Sequence, residues 1–421
     1  MAQRDRSGDL EHLFTDAVRD GMGSTVYGDW RSIQNADAVQ LAFGFPYPES
    51  FPNRELVSAT ESLFASEPDR ALQYGGGEHA DALRDVIVDR ARERGIDCSA
   101  NAIHLTNGAT RAIDTVCRVF LEPGDEVVVE APTFMGALGI FRNHGATVTG
   151  VDMDEDGLDV DALAGDLAAR AERGASQPKL VYTIPDFQNP TGVTMATDRR
   201  ERLLDLAETY DFVVLEDDPY GRLRYEGSER PPLKALDGAD RAVRINTFSK
   251  TIAPGVRTGW IVADERTAAQ FDRIDAGGEP SFTRGLIHSY CADGRLDRAV
   301  SRLCEGYERR RDRMLASLEA HMPPDVSWSE PSGGFFVWIA FPDGTDTDAM
   351  LPEAIDAGVT YLPGPFFYPD DDGERFARLS FSHVPPSAID EGIESLARTV
   401  RNRVPTTDGA DSANGRTDGD R

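Results

Sequence analysis

Between Asn101 and Ala263 the chain keeps one rhythm, in which short runs of β-branched residues alternate with longer stretches whose apolar positions recur three and four apart. The short runs are AIHLT, EVVVE, ATVTGV, KLVYTI, DFVVLE, AVRINTF and GWIVA; between them GATRAIDTVCRVF and DRRERLLDLAETY have helical spacing. Such alternation predicts an α/β unit around a mostly parallel, seven-stranded sheet. After about Cys291 the texture changes to a long charged helix, AVSRLCEGYERRRDRMLASLEAHM, followed by the strand-like GGFFVWIAF and RFARLSFSHV around a helical DAMLPEAIDAG. This predicts a smaller α+β domain. The expected organisation is an N-terminal arm over 1–35, a small domain from 36–75 and 292–403, and a large domain over 76–291. Residues 404–421 hold Gly, Asp, Thr and Ser without apolar anchors and are expected to form a disordered acidic tail.

Length and charge narrow the function classes. The 421 residues suit two domains, and 73 Asp plus Glu against 44 Lys plus Arg give a formal charge of -29 and a pI of about 4.6. A nucleic-acid or anionic-membrane surface is thereby disfavoured. With 40% apolar residues the chain is still expected to fold, with an acidic solvated surface that suits high salt, as in a halophile. Cys98, Cys117, Cys291 and Cys304 form no C-x-x-C pair, which points to a reducing cytoplasm and away from disulfide or zinc frameworks. No apolar stretch of about 18 residues occurs to span a membrane. Only about 35 residues precede the first apolar segment, VQLAFGF, so no helix-turn-helix module is expected ahead of it.

Ligands of open parallel sheets bind beyond the carboxyl ends of strands. Here those ends are polar: AIHLT runs into NGAT, KLVYTI into PDFQNPTG, DFVVLE into DDPY, and AVRINTF into SK. Gly108, Ala109 and Thr110 open a helix, whose amides and the Thr110 hydroxyl make a phosphate cradle. Thr247, Ser249 and a bidentate Arg257 can complete it. Lys250, beside Arg257 and partly desolvated, is then a nucleophile toward a carbonyl. Asp217, at the end of a strand expected to be buried, needs a cationic partner. Pyridoxal 5'-phosphate unites an aldehyde, a protonatable ring nitrogen and a phosphate.

At these residues the chain resembles the fold-type I pyridoxal-phosphate enzymes of the class I/II aminotransferases, from LAFGFPYPESFP to RFARLSFSHV. PDFQNPTG and YLPGPFF look like the subgroup of 2-aminoadipate, kynurenine and related broad-range aminotransferases. The resemblance implies that Lys250 carries the cofactor as an imine and shuttles the proton between the substrate Cα and the cofactor C4′. It implies that Asp217 partners the pyridine nitrogen, Tyr220 and Asn189 contact the phenolic oxygen, and Phe134 stacks on the ring. Gly108, Ala109, Thr110, Thr247, Ser249 and Arg257 match the phosphate positions, and Tyr74 would reach the phosphate of a neighbouring subunit in a homodimer. Arg378 resembles the arginine that grips the substrate α-carboxylate, with Gly44 and Asn189 lining the substrate side. The implied reaction is ping-pong transfer of an amino group from an L-amino acid to a 2-oxo acid, by resemblance 2-oxoglutarate.

The chain also departs from the family pattern. Ala109 and Thr110 stand where Ser and Gln are common, which shifts weight to the backbone cradle. Tyr27 aligns where relatives that prefer acidic side chains can carry Arg, which favours an apolar or aromatic donor. A lyase or decarboxylase would keep every cofactor residue, and a ligand-sensing relative without catalysis is the alternative from a different class. Taken singly, each motif has a plainer reading: NPTG is a common turn, Phe134 suits a core, and DMDEDG from Asp152 imitates an EF-hand but reads better as a loop-to-helix turn. Their joint position at strand ends is what selects the cofactor reading.

Overall fold

The computed structural model describes residues 10–15, 30–75, 77–275, 280–370 and 372–403. Tyr27 and the tail 404–421 lie outside the described residues, as does most of the N-terminal arm. The first strand, β1 (Val39–Gln40), pairs far along the chain, and the next eight strands form the large sheet. These are β2 (Ile103–Thr106), β3 (Glu126–Ala131), β4 (Thr147–Asp154), β5 (Gly157–Leu158), β6 (Leu180–Thr183), β7 (Val213–Asp217), β8 (Ala242–Thr247) and β9 (Gly259–Val262). Their order is β2-β9-β8-β7-β6-β3-β4-β5. The seven strands expected from the sequence are all present; the eighth is the two-residue β5, antiparallel to β4. DMDEDG forms the turn into it, where Asp154 accepts from the Asp156 amide and Gly157 takes φ 100°, so the segment turns a hairpin before the helix Val160–Arg173 begins.

Alternation along each strand sorts side chains between two helical layers. Val127, Val129, Tyr182, Leu215 and Ile245 pack with Ile113, Val116, Leu138 and Phe141 on one face. On the other, Val128, Val181 and Val214 pack with Leu163, Leu167, Leu203 and Ala207. Strands buried on both faces read as continuous apolar runs, which is why these segments were legible as a parallel core.

Besides β5, β9 runs against its neighbours, and this matters for the site. β9 lies between β2 and β8 and is antiparallel to both, with Gly259 opposite Thr106 and Thr247. The start of β9 therefore meets the carboxyl ends of β2 and β8, at the edge where β3, β6 and β7 also end.

The second sheet holds β10 (Ser327–Trp328), β11 (Phe336–Ala340), β13 (Leu362–Pro363) and β14 (Phe376–Ser380) in the order β10-β11-β14-β13, while β12 (Val359–Thr360) pairs with β1 in parallel. The 27-residue helix Arg295–His321 and the C-terminal helix Pro386–Arg403 bury Tyr307, Met314, Leu318, Ile389, Ile393 and Leu396 in the core beneath this sheet. Helix Asn53–Ser66, grouped with the small domain on sequence, buries Ala59 in a cluster with Leu83, Ile103 and Trp260, and its Leu63 lies against Gly285. No helix among the described residues is long and apolar enough to cross a membrane.

Candidate active site

A cavity of ≈ 180 Å³ opens at the carboxyl edge of the large sheet and is lined by ten of the expected residues: Ala109, Thr110, Phe134, Asn189, Asp217, Tyr220, Thr247, Ser249, Lys250 and Arg257. Gly108 stands just behind its wall at φ 88°, capping helix Ala109–Phe120. At this helix start the amides of Ala109 and Thr110 precede the first intrahelical bonds, which run from Arg111 and Ala112 to the Gly108 carbonyl. A Cβ on Gly108 would lie 2.6 Å from Arg257 Nη2, so glycine leaves room for the guanidinium as well as for the positive φ.

Arg257 reaches this place because β9 is antiparallel. It lies two residues before that strand, adopts the left-handed conformation at φ 47°, and donates from Nη2 to the Asn107 carbonyl at 2.8 Å. The side chains of Thr247 and Ser249 meet at 2.9 Å, and the Ser249 amide donates to Thr247 Oγ1 at 3.1 Å. Backbone amides, two hydroxyls and one guanidinium thus converge in a concavity suited to a phosphate.

The partly buried Lys250 Nζ donates to the Gly44 carbonyl at 3.0 Å and lies 5.9 Å and 5.4 Å from the ring centroids of Tyr220 and Phe335. Burial, then the charges of Arg378 and Arg257, lower its pKa to about 8. A Cβ on Gly44 would collide with the Phe336 ring, so this segment approaches the lysine only as glycine.

Asp217 ends β7 and is buried, with Oδ2 accepting from the Tyr182 hydroxyl at 2.7 Å; Oδ1 has no hydrogen-bond partner among the described residues. Burial pushes its pKa up to about 7. An open, buried carboxylate oxygen opposite a weakened amine and a phosphate cradle fits pyridoxal phosphate, whose ring nitrogen would complete Asp217.

Arg378, on a strand that could have faced water, is 3% exposed because β14 lies between β11 and β13, with Trp338 and Leu362 as its register partners. Its guanidinium donates to Asn189 Oδ1 at 2.8 Å and to the Ala42 carbonyl at 2.7 Å, with the Phe336 ring centroid 4.1 Å away. Asn189 therefore ties the small-sheet arginine to the cavity. Tyr74, by contrast, is 98% exposed and does not reach the cavity of its own chain.

Two buried residues escaped the sequence reading. Tyr182 stands inside an apolar run and shows its role only through the neighbouring strand. Glu130, whose pKa burial raises to about 7, accepts from Thr183 Oγ1, the Ile184 amide and Gln188 Nε2; Gln188 in turn bonds Pro132 and Thr191, framing the turn that carries Asn189. A buried Glu at the end of EVVVE was the available signal, since such a group must have partners.

An amine of lowered basicity, a buried carboxylate and an anion cradle at one sheet edge define an enzyme that works on amines through a bound phosphorylated cofactor. Residues 38–396 match the family model of aminotransferase class I and II, and the chain belongs to that family. It is 38% identical over 400 residues to aromatic-amino-acid aminotransferase 1 of Thermococcus litoralis, covering 94% of this chain and 96% of the relative. The kynurenine aminotransferase of Pyrococcus horikoshii, solved in complex with PMP, superposes with a TM-score of 0.87 at 38% identity, covering 94% of this chain and 98% of that one. The α-aminoadipate aminotransferase of Thermus thermophilus, complexed with N-(5'-phosphopyridoxyl)-L-leucine, superposes with a TM-score of 0.83 at 28% identity over 94% and 98% of the two chains. The protein is thus a pyridoxal-phosphate aminotransferase on the fold-type I α/β architecture.

Proposed function

We propose that Lys250 is the covalent anchor and proton carrier of an aminotransferase that moves the amino group of an L-amino acid to 2-oxoglutarate or a similar 2-oxo acid in two successive half-reactions. The observation that carries this reading is the shared cavity, lined together by Lys250, Asp217 and the cradle residues Thr110, Thr247, Ser249 and Arg257. When bound, pyridoxal phosphate supplies an aldehyde for amines and a ring that withdraws electrons from the substrate Cα. Thr110, Thr247, Ser249, Arg257 and the amides of Ala109 and Thr110 would hold its phosphate. Phe134 would pack on the ring face, and Asn189 and Tyr220 would meet its phenolic oxygen.

Arg378 binds the donor α-carboxylate and, fixed by Asn189 and Ala42, sets which Cα bond faces the lysine. Lys250 Nζ takes the Cα proton. Its lowered pKa leaves a useful share of free base near pH 8. Kinship with aromatic and kynurenine aminotransferases supports an apolar or aromatic donor, in line with Tyr27 in place of arginine.

The same reading includes a cytoplasmic homodimer adapted to high salt. Tyr74 is almost wholly exposed, and Leu72 at 71% and Val57 at 59% leave apolar surface in water on the same stretch of chain, as an interface between copies would. A panel of amino acids given to the holoenzyme without an oxo acid tests the reaction. One equivalent of oxo acid per site, with conversion of the bound cofactor to its amine form, is expected; steady release of ammonia or carbon dioxide would establish a lyase or decarboxylase instead. Borohydride should fix the cofactor to the wild type but not to Lys250→Ala, and fixation in the variant would place the anchor elsewhere.

A further inference from the structure

We propose that Tyr182 is a positioning residue, whose phenol holds one oxygen of Asp217 and so reserves the other for the ring nitrogen of the cofactor; the inference rests on Asp217 being the partner of that nitrogen. Tyr182 lies on β6 with Leu215 of β7 as its register partner, and its fully buried hydroxyl reaches past that neighbour to Asp217 Oδ2 at 2.7 Å. Oδ1 is left open. A single anchor on Oδ2 prevents rotation of the carboxylate and presents Oδ1 in one direction.

The anchor also bears on charge. Burial raises Asp217, and Asp218 beside it and Glu130 at the end of β3 raise it further, while Arg244 on β8 lowers it. Arg244 is already engaged by Glu216 and Asp218. Tyr182 is the one side chain that donates a hydrogen bond to the Asp217 carboxylate among the described residues, and that bond favours the ionised form. Burial and the negative charge of Asp217 hold the ionisation of Tyr182 well above the usual phenol range, so Tyr182 serves as a donor. Without it, the proton affinity of Asp217 would rise further, at the expense of a protonated ring nitrogen.

Tyr182→Phe tests this with little disturbance, because the ring keeps its edge contact with Phe141 at 5.4 Å. The readouts are the NMR shift of ¹⁵N-labelled pyridine nitrogen in the holoenzyme and the cofactor Kd of the apoprotein, compared among wild type, Tyr182→Phe and Asp217→Asn. In Tyr182→Phe the nitrogen should lose its proton at a pH about one unit lower and Kd should rise about tenfold, with kcat reduced and donor KM unchanged. Asp217→Asn should move both physical readouts further. If Asp217→Asn changes them and Tyr182→Phe does not, the Tyr182 inference falls alone; if Asp217→Asn leaves the nitrogen unchanged, the Asp217 reading falls. Should Tyr182→Phe fail to fold, 3-fluorotyrosine placed at position 182, a stronger donor, is expected to shift the nitrogen the opposite way, and an unchanged signal would overturn the proposal.

Discussion

Lys250 is held between a carbonyl and two aromatic rings, an environment that solvates an ammonium poorly. Burial first, and the guanidinium groups of Arg378 and Arg257 after it, bring its pKa to about 8 in the cofactor-free protein. An ordinary lysine near 10.4 would be almost wholly protonated at pH 8, whereas Lys250 is about half free base there. The rate at which apoprotein captures the cofactor covalently, followed by absorbance, should therefore rise with pH through about 8 and then level off. A rate still climbing above about pH 10 would mean that the lysine is unperturbed. The sequence showed Lys250 beside Arg257 and so predicted a weakened amine. It could not show that Arg378, on a different sheet, contributes more than Arg257.

At the scale of elements, the site is a set of strand ends, and their polar residues exist at a cost to the sheet. Asp217 at the end of β7 and Glu130 on β3 are each buried with pKa raised to about 7. A carboxyl whose folded pKa is raised favours the folded state in its protonated form. Its contribution is complete below the unfolded value near 3.9 to 4.3 and is lost as pH rises through about 7. Thermal melts of apoprotein should fall in Tm between about pH 4 and pH 8, and Asp217→Asn should flatten part of that fall. An identical slope in wild type and variant would show that Asp217 is not titrating there. The strand runs were legible because strands buried on both faces leave apolar sequence. The direction of β9 was not, since GWIVA reads alike in either orientation, and Arg257 reaches Gly108 only because that strand is antiparallel.

For the whole molecule, the excess of 73 acidic over 44 basic residues predicts self-repulsion that salt must screen. In a salt series followed by sedimentation and circular dichroism, the chain should be a folded dimer at molar salt and lose first association and then fold in dilute buffer. A dimer intact in dilute buffer would remove the salt requirement, and a monomer at every salt concentration would remove the shared-site reading of Tyr74.

By itself the sequence determined the features set by local composition: the α/β rhythm, the polar strand ends and the candidate lysine, carboxylate and arginines, because periodicity and residue chemistry are written in the chain. Tertiary structure alone decided which of them meet. The antiparallel β9 brings Arg257 to a helix start some 150 residues earlier in the chain. The central position of β14 buries Arg378 against Asn189, and the parallel pairing of β6 with β7 gives Asp217 its phenol. These are contacts between segments distant in sequence, settled by strand order and burial, and no local pattern encodes them.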